Sequence, residues 1–170
     1  MSNSKAKNKT LLTAARKLIT TANSKAIVSE QFKTLRTNIN FSMPDRELKT
    51  MLFTSASPSE GKSTVAANSA VVFAQEGKRV LLIDGDMRKP TVHYTFHLTN
   101  TSGLSNLLTG QAHLEGVIKH HEIENLDIVT CGPIPPNPAE LLGSNRMEKI
   151  IGDLKEKYDI IIKRMKMKRR

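Results

Sequence analysis

Four residues in the first half of the chain, Gly61-Lys62-Ser63-Thr64, carry the most pointed chemistry in the sequence. They close a run of mostly small residues, 55–64, entered by a strand-like segment (49–54) and left by a helix-like one (65–76). Strand, small-residue turn, Gly-Lys-Ser-Thr and helix is the layout of a nucleotide-phosphate loop. Backbone N–H groups at the start of such a helix point at phosphate, and the helix dipole adds positive potential there. Lys62 is placed to contact the β- and γ-phosphates, and Ser63 to offer its hydroxyl to Mg²⁺. The first glycine of the usual G-x-x-x-x-G-K pattern is Ala56 here. A loop that only resembles a phosphate cradle is therefore the competing possibility.

Asp84 and Asp86, at spacing two, form the second candidate pair. Such carboxylates can hold Mg²⁺ through water or accept a proton from an attacking hydroxyl. They are equally residues of an Asp-Gly turn. Arg88, just beyond, is either a phosphate contact or solvated surface. His93, His97, His113, His120 and His121 lack the spacing of a metal site.

The elements that must position these residues alternate between strand and helix. The apolar run 80–83 reads as a strand buried on both faces of a parallel sheet, with Asp84 at its carboxyl end, where open α/β sheets place ligands. Further strands are expected at 126–130 and 158–162, making four with 49–54. Helices are expected at 29–41, with Ser29 as a possible cap, and at 103–110, 114–119, 139–142 and 145–157; residues 11–20 are a weaker helical candidate. Gly77 reads as a helix stop. The loop 132–138 contains four prolines, which fix φ and remove donors. Alternating strands and helices call for an α/β fold with a mostly parallel sheet flanked by helices.

At 170 residues the chain is one domain by length. It divides into a basic N-terminal segment (1–26), a main domain (27–162) and a basic tail (163–170) expected to be disordered. The net charge is +10, and the last eight residues carry six of the basic groups. No interleaved aromatics or nucleic-acid motif accompany them, so nucleic acid is not an expected partner. The lone Cys131 rules out an internal disulfide. No apolar run is long enough to span a bilayer, and a cytosolic protein is the simplest account.

Residues 55–64, the run 81–88 (Leu-Leu-Ile-Asp-Gly-Asp-Met-Arg) and the run 132–142 together resemble the cytoplasmic tyrosine kinases of bacteria that act in capsule and exopolysaccharide production. That family has a P-loop NTPase-like fold, close to the deviant phosphate-loop ATPases of the MinD/ParA type. The resemblance implies ATP and Mg²⁺ as cofactors. It implies nucleotide binding by Ser57, Pro58, Ser59, Glu60, Gly61, Lys62, Ser63, Thr64 and Arg88, and Mg²⁺ binding by Ser63, Asp84 and Asp86. Lys62, Asp84 and Asp86 become the catalytic set, one aspartate being the base for a tyrosine hydroxyl. Protein tyrosine substrates and a membrane-anchored adaptor, which would hold the protein at the membrane, are the implied partners. Glu30, Lys33 and Arg36 are similar to the family's Glu-x-x-Arg-x-x-Arg assembly motif, with a lysine that cannot make arginine's bidentate contacts.

The sequence departs from the family after Ile162. The family's strand there runs into an aspartate that helps hold Mg²⁺; two positions beyond Ile162 stands Arg164, expected to repel the metal. The family's later strands and helices and its C-terminal tyrosine cluster have no counterpart in this sequence. The expectation is an incomplete fold with weak or no kinase activity. The alternatives are a ParA/MinD-type nucleotide switch and a non-catalytic ATP-binding fragment.

Overall fold

A computed structural model describes residues 18–22, 25–55 and 60–166. Ala56, Ser57, Pro58, Ser59, most of the helical candidate at 11–20 and residues 167–170 of the basic tail lie outside the described residues. In chain order the elements are α1 (Ile19–Ala22), α2 (Ile27–Ser42), β1 (Thr50–Phe53), α3 (Lys62–Gln75), β2 (Val80–Asp84) and α4 (Val92–Thr95). Then come α5 (Leu104–Thr109), α6 (Leu114–Val117), β3 (Ile118–His120), β4 (Leu126–Val129), α7 (Pro138–Leu142), α8 (Asn145–Lys157) and β5 (Ile160–Arg164).

The strands form one sheet in the order β1-β5-β2-β4-β3. All neighbours are parallel except β3, which pairs antiparallel with β4 at the edge. Side chains alternate across the pleat, and the core divides accordingly. Val80, Leu82, Leu126, Ile128, Ile160 and Ile162 face a cluster built on Ala66, Ala70, Val71 and Phe73 of α3. Leu81, Ile83, Val129 and Ile161 face the other side, against Leu104 and Leu107 of α5 and Met147, Ile151 and Leu154 of α8. A helix layer on each face is what buries strands this apolar.

Every residue from Ala66 to Ala74 of α3 is buried, so this helix is covered on its outer side as well. Arg36 of α2 donates from Nη1 to the Val72 carbonyl at 2.8 Å. Thr20 of α1 donates from its N–H and its hydroxyl to Asn68 Oδ1, at 3.1 and 2.9 Å. Contact with α3 thus begins ahead of residue 27.

Four expectations are corrected. Among the described residues the sheet has five strands, because the span 114–119 divides into a single helical turn, α6, and the short edge strand β3. Ser29 does not cap α2; the helix begins two residues earlier and Ser29 is buried within it. The last strand starts at Ile160 rather than Tyr158. It also runs on through Lys163 and Arg164, so these two residues belong to the sheet and not to a disordered tail. Their register explains it: Lys163 and Arg164 pair with Ile83 and Asp84 on one side and with Leu52 and Phe53 on the other. A strand between two partners has its backbone hydrogen bonds satisfied whatever its side-chain composition.

Candidate functional site

Gly61 turns the chain into α3 with φ +80°, a left-handed conformation that glycine adopts without strain. Lys62, Ser63 and Thr64 form the first helical turn, whose N–H groups have no acceptor inside the helix. Donors and dipole together make this end suited to an anion. It lies at the carboxyl end of the parallel sheet, facing the loop that follows β2.

Asp84 ends β2 and is fully buried. Its Oδ1 accepts from the Asp86 N–H at 3.2 Å and from Arg164 Nη1 at 2.6 Å. Its Oδ2 accepts from the N–H groups of Thr91 and Val92, both at 3.1 Å. A carboxylate offers about four acceptor positions, and all four are taken. Asp84 therefore fixes the loop from Asp86 to Val92 rather than presenting a reactive oxygen.

Asp86 meets Lys62 Nζ at 2.8 Å and Arg164 Nη2 at 3.3 Å through Oδ2, and accepts from the Lys89 N–H at 3.2 Å through Oδ1. Burial pushes its pKa up, but the Lys62 hydrogen bond, the charge of Arg164 and the Lys89 N–H together outweigh burial and hold it below the usual carboxylate value. Lys62 also donates to the Met165 carbonyl at 3.0 Å. Ser63 Oγ accepts from Arg164 Nε at 2.8 Å and from the Thr91 hydroxyl at 3.0 Å.

The structure thus brings Lys62, Ser63, Asp84 and Asp86 together, with Gly61 and Thr64 beside them. Arg88 is exposed and lines a narrow cleft with Asp86, Pro138, Leu142 and Lys166, and Glu60 is exposed. Ser57, Pro58 and Ser59 lie outside the described residues. Of the α2 stripe, Glu30 and Lys33 pair with each other at 2.8 Å on the surface. Arg36 is turned inward, onto the Val72 carbonyl and toward Glu76.

Arg164 stands at the metal position, as its place two residues beyond Ile162 implied, but its pairing with the site's own side chains was not foreseen. It is 3% exposed and contacts Ser63, Asp84 and Asp86, the same three residues assigned to Mg²⁺. The residues present fit a phosphate at the start of α3, but they do not fit Mg²⁺. Asp84 has no acceptor position left, and Ser63 and Asp86 already face a fixed positive charge. Among the described residues no group of three or more His, Cys, Asp or Glu is placed to hold a metal ion.

Comparison with known proteins places this chain in a family. Residues 49–164 match the family model described as an AAA domain. The tyrosine-protein kinase YwqD of Bacillus subtilis is 50% identical over 147 residues, covering 86% of this chain and 62% of the relative. The chain therefore spans about three fifths of the length of that curated relative. The solved kinase domain of the Escherichia coli tyrosine kinase ETK is 34% identical with a TM-score of 0.84, over 88% of this chain and 58% of that one. The chimerical protein CapA2B2 is 44% identical with a TM-score of 0.85, over 88% of this chain and 66% of that one. The Pyrococcus horikoshii septum site-determining protein MinD, solved with Mg-ADP, is more distant, at 27% identity and a TM-score of 0.59 over 68% of this chain. The mostly parallel sheet, the helix-start lysine and these likenesses agree: the chain belongs to the AAA-domain family, and over most of its own length it is similar to bacterial tyrosine-protein kinases.

Proposed function

We propose that the chain is the nucleotide-binding portion of an ATP-dependent protein tyrosine kinase acting in capsule or exopolysaccharide production, with phosphotransfer impaired by Arg164. One observation carries the ATP part: Gly61 and Lys62 open α3 at the carboxyl end of a parallel sheet, directly opposite Asp86. In this reading the first-turn N–H groups and Lys62 hold the phosphates, and Lys62 exchanges Asp86 for a phosphate oxygen when nucleotide enters. In the same reading Ser57, Pro58, Ser59 and Glu60 complete the cradle, and Arg88 contacts a phosphate. Asp86 is the better candidate for the base that takes the tyrosine proton, because Asp84 is saturated. Its lowered pKa makes it a weak base. The family's Mg²⁺ would help neutralise charge on the transferring phosphoryl group. The residues here do not accommodate it, and impaired transfer follows.

The same reading assigns protein tyrosine substrates and a membrane-anchored adaptor as partners, with a cytoplasmic location at the membrane through that adaptor. No described helix is long and apolar enough to cross a membrane. Self-association through Glu30, Lys33 and Arg36 is part of the proposal, and it requires Arg36 to leave the Val72 carbonyl. The guanidinium among the carboxylates favours a second reading, a protein that binds ATP without transferring phosphate.

Titration of the full chain with a fluorescent ATP analogue, beside Lys62→Ala, tests the nucleotide assignment. Binding is expected, weakened about tenfold or more by the substitution. A folded protein that binds nothing would sink the proposal. Transfer of labelled γ-phosphate to a tyrosine peptide separates the two readings, with a rate near background expected.

A further inference from the structure

The guanidinium of Arg164 is held at each of its nitrogens. Nε donates to Ser63 Oγ at 2.8 Å and Nη1 to Asp84 Oδ1 at 2.6 Å; Nη2 lies 3.3 Å from Asp86 Oδ2 and donates to the Lys89 carbonyl at 3.2 Å. Four contacts thus engage all three of its nitrogens, which carry five N–H groups between them. The backbone beneath is tied as well. The Gly85 N–H donates to the Arg164 carbonyl at 2.8 Å, and the Met165 N–H to the Phe53 carbonyl at 3.0 Å. Lys62 Nζ closes over the Met165 carbonyl. Moving the guanidinium out means breaking its contacts to Ser63, Asp84, Asp86 and the Lys89 carbonyl.

The charges close among themselves. Lys62 and Arg164 supply two positive charges and Asp84 and Asp86 two negative ones, all with side chains no more than 8% exposed. A dication entering this set would leave an uncompensated excess within contact distance of a guanidinium that cannot lose its proton.

We propose that Arg164 is the resident cation of this site: its guanidinium takes the place of a divalent metal between Ser63, Asp84 and Asp86, and the site acquires a metal-binding capacity only when Arg164 is removed. The inference concerns the metal position alone and holds whether or not nucleotide binds. It extends the reading above by making any nucleotide binding at this site indifferent to Mg²⁺.

The test uses the full chain without nucleotide: wild type, Arg164→Ala, and Arg164→Ala combined with Ser63→Ala. Mn²⁺ uptake is read from loss of the free-ion electron paramagnetic resonance signal, and Tm is read in Mg²⁺ and in EDTA. Wild type is expected to take up Mn²⁺ about tenfold or more weakly than Arg164→Ala, with the same Tm in both buffers. Arg164→Ala is expected to melt lower in EDTA and to recover part of the loss in Mg²⁺, by linkage. Adding Ser63→Ala should weaken that recovery. Equal uptake by wild type and Arg164→Ala overturns the proposal, as does a wild-type Tm that rises with Mg²⁺. Should Arg164→Ala not fold, the wild type beside Ser63→Ala decides, since Mn²⁺ uptake that Ser63→Ala abolishes would place a metal where Arg164 stands. Adding the fluorescent ATP analogue keeps the two proposals apart. Absence of nucleotide binding counts against the kinase assignment only, whereas binding that EDTA abolishes counts against Arg164 as the cation.

Discussion

At Asp84 four donors converge on one buried carboxylate, and one of them is a guanidinium with nowhere else to go. Asp84→Ala would leave Arg164 with less than half of its counter-charge and strand the N–H groups of Thr91 and Val92. Breaking a buried pair from one side costs about 3–5 kcal/mol, and urea denaturation should show a loss of that order. Glu30→Ala, by contrast, removes an exposed i,i+3 pair and should change stability by no more than about 0.5 kcal/mol. Lys62, Ser63, Asp84 and Asp86 were legible in the sequence because their types and spacing imply chemistry in any context. Arg164 was legible only in part: its place two residues beyond Ile162 set it at the metal position, but only the parallel register and its contacts show that its charge is consumed by Asp84 and Asp86.

The helices and long strands were readable from periodicity and from their stop signals, and α8 is the clearest case. Ser144 accepts from the Met147 N–H at its start, and Lys155 and Lys157 sit in its last turn. What escaped were the single turn α4 and β3, three residues at the edge whose identity comes from pairing with β4 rather than from any local pattern. The same dependence on neighbours separates two glycines. Gly152 lies inside α8 with open space around a would-be Cβ, so Gly152→Ala should stabilise by about 0.5–1 kcal/mol. Gly103 precedes α5 where the chain crosses the end of β4, and a Cβ there would run into the Thr130 carbonyl and the Gly132 N–H. Backbone on both sides cannot yield cheaply, so Gly103→Ala should lower Tm although its extended φ suits any residue. Thermal unfolding of the two variants side by side should give shifts of opposite sign.

Over the whole molecule, 26 basic residues stand against 16 acidic ones, so each carboxylate that remains ionised offsets a surplus of positive charge. Acid should destabilise the fold in two stages. Burial lowers the pKa of His93 and of His121 below the ordinary 6.5. The unfolded chain therefore takes up protons first, and stability declines as pH falls below that value. The second stage belongs to Asp86 and Asp159, both lowered in the fold from 3.8. Asp159, hydrogen-bonded by the Arg79 side chain and N–H, is held at about 2 and ties the start of β5 to the start of β2. A depressed carboxylate contributes fully above its unfolded pKa and loses its contribution as pH falls through the folded one. The Asp159 contribution should thus be intact at pH 5 and gone near pH 2. Asp159→Asn should be less stable than wild type at neutral pH, and the two denaturation midpoints should converge as pH approaches 2. A gap between them that stays constant over this range would mean that Asp159 acts through its hydrogen-bonding shape and not through its charge.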